Sequence, residues 1–251
     1  MFRIVFFAAL FFVSFLSNGQ SVVNTENNRL DSISDGFSGN IELGLNFVQN
    51  INNVFQTQNA SQFQWKKNKH NIMSVNALNL TVFNDSKILN DGVQYLRYSY
   101  DLNKLLDIET FGQAQYNEII KIKGRYLMGL GVRLHILDVY KDSVNLHFGM
   151  HYMREYEEET TLKINRHHRI NNVLSFGWPI NDKIDLNFIS YYQPDVQNFK
   201  DFRVSTEASI QIEILKRLTF KYSMAWFYDE NPPEGINRVF YNIRNTLLFD
   251  F

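Results

Sequence analysis

Three histidines, three serines and a scatter of acids and bases are the residues in this chain whose chemistry could matter. His135 and His147 flank a turn-forming stretch, Asp138–Ser143. A hairpin centred on Lys141 would set the two imidazoles opposite each other, about 5 Å apart at Cβ. Such a pair can share a divalent ion when a carboxylate joins it, but no acid stands at a fixed spacing to do so, and no metal site is expected. His151 lies four residues further on, ~13 Å along an extended strand, outside any such site. Ser205, Ser209 and Ser223 fall on the same polar side as the histidines. No spacing ties one of these nucleophiles to a base, so no catalytic residue is assigned and the chain reads as non-enzymatic.

The glycine motifs carry no nucleotide or acyl chemistry. Gly129-Leu-Gly131-Val-Arg-Leu134 approaches the dinucleotide fingerprint, but Leu134 replaces its third glycine and no helix follows. Gly36-Phe-Ser-Gly39 misses the nucleophile elbow by one position. Walker A and His-Glu-x-x-His sequences are absent, and no cofactor is expected. The acids and bases are more informative. One polar face carries Glu42, Arg97, Asp107, Glu109, Arg125, Arg133, His135, His147, His151, Arg203, Glu207, Glu213, Lys221 and Arg244. Both signs are present, which suits a lattice of ion pairs or the wall of a hydrated path. A further stretch, Glu155–Arg169, runs acidic at Glu157, Glu158 and Glu159, then basic at Arg166, His167, His168 and Arg169. It reads as a solvated loop, with contact to anionic lipopolysaccharide as its functional alternative. Asn231-Pro-Pro-Glu-Gly235 is turn chemistry.

The elements that position these residues are strands. In 37–47 the odd positions are Phe37, Gly39, Ile41, Leu43, Leu45 and Phe47, and the even ones are polar or Gly44. Only an extended chain puts such a set on one face. The same alternation runs through 105–116, 122–136, 144–155, 184–192, 202–214, 217–228 and 239–251, and more weakly through 54–65, 92–101 and 168–178. In 70–83 the faces cannot be assigned. The expectation is a single all-β domain over 37–251, an antiparallel transmembrane β-barrel of about twelve strands, since ~9–11 tilted residues cross a bilayer. Short joins at 66–69, 101–104, 138–143, 180–183 and 215–217 alternate with longer ones at 84–91, 117–122, 156–168, 193–201 and 229–238. That is the pattern of periplasmic turns and external loops in outer-membrane barrels.

Alternation alone does not say which face meets lipid. Aromatics cluster at the ends of the apolar face, at Phe37, Phe47, Phe55, Trp65, Tyr116, Tyr126, Trp178, Tyr192, Trp226 and Tyr228, as interfacial girdles do. About twelve strands also enclose more room than apolar side chains can fill. The apolar face is therefore expected outside. A soluble periplasmic lipocalin-like binder, with that face inside, is one alternative; a barrel hydrolase at the external rim is another.

Composition agrees. The 251 residues include no Cys, so disulfides and thiolate sites are excluded, and a net charge of −1 gives no basis for nucleic-acid binding. Residues 1–19, with Arg3 ahead of an apolar run of about thirteen residues, read as a cleaved secretory signal too short to span a bilayer. Residues 20–36 read as a flexible periplasmic lead-in. Phe249 and Phe251 resemble the terminal aromatic insertion signal that bacterial barrels present to the outer-membrane assembly machinery.

Three stretches carry a family likeness: Arg125-Tyr-Leu-Met-Gly-Leu-Gly-Val-Arg133, Tyr192-Gln-Pro-Asp195, and Asn231-Pro-Pro-Glu-Gly235 leading to Phe251. Over roughly 37–251 the chain resembles the domain-of-unknown-function family typified by salt-induced outer membrane proteins. The resemblance implies an outer-membrane β-barrel of a Gram-negative cell with no established activity. The resulting expectation is a porin-like narrow passive channel or structural envelope protein with a charged lumen. Its partners would be outer-membrane lipids, lipopolysaccharide and, during insertion, the assembly machinery.

Overall fold

A computed structural model describes residues 35–49, 51–84, 86–138 and 144–249. The signal segment 1–19, most of the lead-in and Phe251 lie outside the described residues. Twelve strands follow in chain order: β1 (Gly36–Gln49), β2 (Asn53–Lys67), β3 (His70–Phe83), β4 (Ser86–Asn103), β5 (Leu106–Asn117), β6 (Ile122–Asp138), β7 (Asn145–Glu159), β8 (Ile164–Asn181), β9 (Ile184–Pro194), β10 (Phe202–Leu215), β11 (Leu218–Asp229) and β12 (Val239–Phe249). Each pairs antiparallel with its chain neighbour in one 12-stranded sheet ordered β1 to β12. The sheet rolls into a barrel with β1 and β12 at its seam. Among the described residues no ladder joins those two, and β1 is exposed on both faces.

The strands outrun the expected boundaries at one end. The joins anticipated at 84–91 and 156–168 shrink to a turn between Phe83 and Ser86 and a hairpin between Glu159 and Ile164. Cross-strand pairing continues to Val82↔Lys87 and Glu158↔Ile164, so backbone groups that a loop would leave to water are bonded in the ladder. The segments joining β9 to β10 and β11 to β12 remain as the substantial loops of this end, called the loop end below. The other end carries two-residue turns at 68–69, 104–105, 182–183 and 216–217, and the β6–β7 join.

The apolar face lies outside. Leu43, Leu45, Met128, Leu130 and Leu247 are each more than 60% exposed, while charged groups on the opposite face are buried. Ile210, Ile212, Phe220 and Trp226 share the outward face, and Arg203 points in at 3% exposure. This is the reverse of a soluble binder with an apolar interior. The outward aromatics fall in two belts: Phe37, Trp65, Tyr98 and Trp178 near the turn end, and Phe47, Tyr116, Tyr126, Tyr192 and Tyr228 near the loop end.

In β3 the faces resist assignment from sequence because both are apolar. Ile72, Leu78, Leu80 and Val82 point out, while Met73 and Val75 point in and pack with Tyr95, Phe111 and Met153. That inner cluster fills the barrel beside β3–β7, and it needs glycine opposite. A Cβ on Gly129 would come within 2.4 Å of the Phe111 ring, and one on Gly131 within 2.1 Å of the Met150 carbonyl oxygen. Gly131→Ala should therefore destabilise the barrel by about 1–3 kcal/mol through overpacking against backbone. Gly112→Ala, with its nearest neighbour atom 4.0 Å away, should be close to neutral. Urea unfolding in detergent compares the two.

Candidate functional site: a charge lattice across the loop end

Period two continues through Glu155, Glu157 and Glu159 on β7 and through Asn165, His167 and Arg169 on β8, sending all six inward. The stretch read as a solvated loop from sequence is instead paired strand, because hydrogen bonds and ion pairs across the interior hold it there. Arg125 on β6 donates from Nε to Glu157 at 2.6 Å and lies 3.4 Å from Glu155. Arg169 reaches Glu155 at 3.2 Å and Asp201 at 2.9 Å. Arg203 on β10 bonds Glu155 at 2.6 Å, Glu157 at 3.4 Å and Asp229 on β11 at 2.8 Å. In reaching β7 from β10, Arg203 passes over β8 and β9 and so crosses the interior.

Three guanidinium groups and four carboxylates thus form one lattice, and Arg125, Arg169, Glu155, Glu157 and Arg203 are each at most 3% exposed. Charges so deeply desolvated persist only because each finds several opposite partners. The remaining donors are also used: Arg169 bonds the Gln193 and Asp201 carbonyls, and Asn165 bridges Glu157 and Glu159.

Two loops cover this lattice. The Asn231-Pro-Pro-Glu-Gly235 segment leans from β11–β12 to the β5–β6 hairpin, half the sheet away, where Lys121 Nζ donates to the Glu234 carbonyl at 2.7 Å. Pro232, Pro233 and Ile236 enclose with Ile120, Ile122 and Phe227 a cavity of about 30 Å³. Gly235 sits at φ 78°, a conformation that glycine adopts without strain. The β9–β10 loop carries Asp195, bonded to His167 at 2.6 Å, and Val196, whose amide donates to the His168 carbonyl at 2.7 Å.

A second network lies nearer the turn end. Asp107 accepts from His135 at 2.8 Å and Glu109 pairs with His151 at 3.1 Å, while Ser99 donates to Glu109 at 3.1 Å. His135 and His147 are cross-strand partners with ring centroids 4.8 Å apart. The carboxylate that sequence spacing could not supply is thus Asp107, from β5, bound to His135 by a hydrogen bond. Ser175, rather than Ser205, Ser209 or Ser223, is the serine that meets a histidine, 3.5 Å from His147, longer than a nucleophile–base bond. Arg97 bonds Met73 Sδ at 3.6 Å, and Arg133 is buried on the same inner face, opposite Asp107 in the β5–β6 register. Glu207, Lys221 and Arg244 line the inner face of β10–β12, half-buried. Phe249 pairs with Leu218 through its backbone.

Among the described residues, one set of three metal-type donors converges, His167, Asp195 and Asp201. The Arg169 guanidinium 2.9 Å from Asp201 already supplies the positive charge there, so the set works as ion pairs.

Sequence reasoning placed Glu155, Glu157 and Arg169 in a solvated loop and gave no site role to Asp195, Asp201 or Asp229. The signal that could have found the β7 and β8 members was the unbroken odd-number parity through 155–169.

Burial raises the Asp195 carboxyl, but the Gln197 amide, His167 and Arg169 outweigh it and hold the group below the usual carboxylate range. Burial likewise opposes, and Arg169 with Asn231 overcomes, to hold Asp201 low. Both groups therefore stabilise the loop end above about pH 4 and stop doing so as acid protonates them. Hydrogen-exchange protection at Val196 and Asp201 should fall on acidification to about pH 2, ahead of that at Ile189 and Tyr191. Arg203→Met, which strips buried Asp229 of its guanidinium and takes one partner each from Glu155 and Glu157, should cost about 3–5 kcal/mol of stability in urea unfolding.

A family model described as a protein of unknown function, DUF481, matches residues 41–251. No curated protein matches the chain. Solved structures similar to it include the NanC porin, 11% identical over 79% of this chain and 94% of that one with a TM-score of 0.49. The KdgM porin in complex with disordered oligogalacturonate is 8% identical over 82% and 98%, with a TM-score of 0.41. OccK11 (OpdR) of Pseudomonas aeruginosa is 7% identical over 84% and 83%, with a TM-score of 0.33.

Proposed function

The chain belongs to this DUF481 family, and we propose that it is an outer-membrane protein forming a narrow, passive, non-enzymatic channel that is constricted at the loop end. The observation that carries this reading is the ion lattice of Arg125, Glu155, Glu157, Arg169 and Arg203, lying across one end of a polar interior whose exterior is apolar.

The exterior supports the location. Two aromatic belts bound a band of exposed Leu, Ile and Met, and such a surface is stable against hydrocarbon and unstable in water. The strands, at 11 to 18 residues, meet or exceed the ~9–11 that a bilayer requires. With the loop end external, the two-residue turns face the periplasm, the arrangement of outer-membrane barrels.

The interior supports a passage of limited width. Side chains fill it beside β3–β9, where Met73, Met153, Val173 and Tyr191 are buried. Along β2 and β10–β12 the inward residues Gln58, Gln62, Ser209, Gln211, Lys221 and Ser223 are only half-buried, so water has access on that side. Glu207, Lys221 and Arg244 all line that wall, a mixture of signs that would give weak ion selectivity. A solute following this wall meets Arg203 and the loop carrying Pro232 and Pro233 at the loop end.

Planar-bilayer conductance of the full protein tests the reading. The wild type should show small, stable unitary steps. Replacing Arg203 by Ala, which removes the side chain that crosses the interior, should raise the unitary conductance by about twofold or more. Silence of both proteins after verified insertion would leave only the structural role.

A further inference from the structure

The outward faces of the strands are almost free of charge. Among the described strand residues, the charged side chains pointing out are Lys67 beside a turn, and Lys87, Lys123, Arg154, Glu158 and Arg166 toward the loop end. Lys87 faces Glu118 at 3.8 Å, and Lys123 bonds Glu158 at 2.6 Å. That leaves Arg154 and Arg166, neither of which has a carboxylate partner among the described residues.

The two arginines share one patch. Arg154 pairs with His168 across the β7–β8 ladder, and Tyr156 pairs with Arg166, so the arginines are diagonal neighbours about 7–8 Å apart. The Arg166 guanidinium lies over the Tyr156 ring at 5.8 Å, and the Tyr152 hydroxyl bonds His168. Tyr152, Tyr156 and Tyr126 place this patch at the level of the loop-end aromatic belt. A guanidinium at that height, facing the bilayer, is stable when it meets an anion of the headgroup layer.

We propose that Arg154 and Arg166, with His168 between them, form a docking site for a phosphate group of lipopolysaccharide in the external leaflet. The inference rests on the outer-membrane reading, with the loop end facing out, and adds a specific lipid contact to it. Charge complementarity identifies the occupant: two planar forks without carboxylate partners among the described residues, on a surface facing the membrane, match a phosphomonoester that each can bond bidentately. Of the acidic groups near them, Glu155 and Glu157 point to the opposite side of the sheet and are committed to Arg125, Arg169 and Arg203, while Glu158, outward and diagonal to Arg166, is bonded by Lys123 at 2.6 Å.

Native mass spectrometry of the folded full chain in detergent tests the site with four probes: rough lipopolysaccharide, its phosphatase-treated form, phosphatidylethanolamine and inorganic phosphate. The wild type should retain the phosphorylated lipopolysaccharide at least about tenfold more strongly than the treated form. The R154Q/R166Q variant should lose that preference, and R154K/R166K should keep part of it. Equal retention of treated and untreated lipopolysaccharide by the wild type overturns the proposal, and this arm needs no variant to fold. Equal retention of phosphatidylethanolamine, or full displacement by millimolar inorganic phosphate, overturns it as well. Heat-modifiable migration and bilayer insertion, measured on the same samples, separate loss of this site from failure of the barrel reading.

Discussion

A side chain on an extended strand has two directions open to it, and most charges on these twelve strands take the inward one, the outward ones lying toward the strand ends. That segregation is the constraint from which the rest follows. Hydrocarbon offers no hydrogen bonds to backbone or side chain, so a spanning chain must bond its own amides to neighbouring strands and keep its ions off the outer face. The consecutive antiparallel ladders from β1 to β12 meet the first demand at every strand junction except the β1–β12 seam, where no ladder is found among the described residues. Outward rows such as Leu43, Leu45, Met128 and Leu130 meet the second.

Gathering charges inside creates a second problem, which the loop-end lattice solves. A lone Arg203 at 3% exposure would be strongly disfavoured by desolvation. Contact with Glu155, Glu157 and Asp229 offsets that cost and ties β10 to both β7 and β11. Buried ion pairs of this kind contribute less to net stability than to fixing one arrangement, since any slip in register would strand a charge. Here the arrangement also holds β7 to β10 across the two strands between them at one end of the barrel. The loop bearing Pro232 and Pro233 then rests on a floor already held in place.

The two networks differ in character. At the loop end, permanent cations face carboxylates, and acid is needed to disturb them. Nearer the turn end, Asp107 and Glu109 are hydrogen-bonded to the imidazoles of His135 and His151. The apolar cluster of Met73, Tyr95, Phe111 and Met153 packs against this second network through the His151 edge, 5.7 Å from the Phe111 ring. Side chains therefore fill this side of the interior with mixed chemistry, and the half-buried Gln and Ser residues of β2, β10 and β11 hold the wetter side.

Period-two alternation determined the twelve strands, the outward placement of residues such as Ile210 and Trp226, and the inward placement of Arg125, His135, His151 and Arg203, because which face a residue takes is a local property of an extended chain. The faces of β3 escaped it, since Met73 and Val75 are apolar yet point in, and only their packing against Tyr95 and Phe111 explains why. The extent of β7 and β8 escaped it too: Glu155 to Arg169 looks like a polar loop until Arg125 and Arg203 are seen to hold its acids. Which carboxylate meets which guanidinium was decided by tertiary structure alone. Arg203 and Glu155 are 48 residues apart in sequence and 2.6 Å apart in space, and no local pattern encodes a contact made across the inside of a rolled sheet.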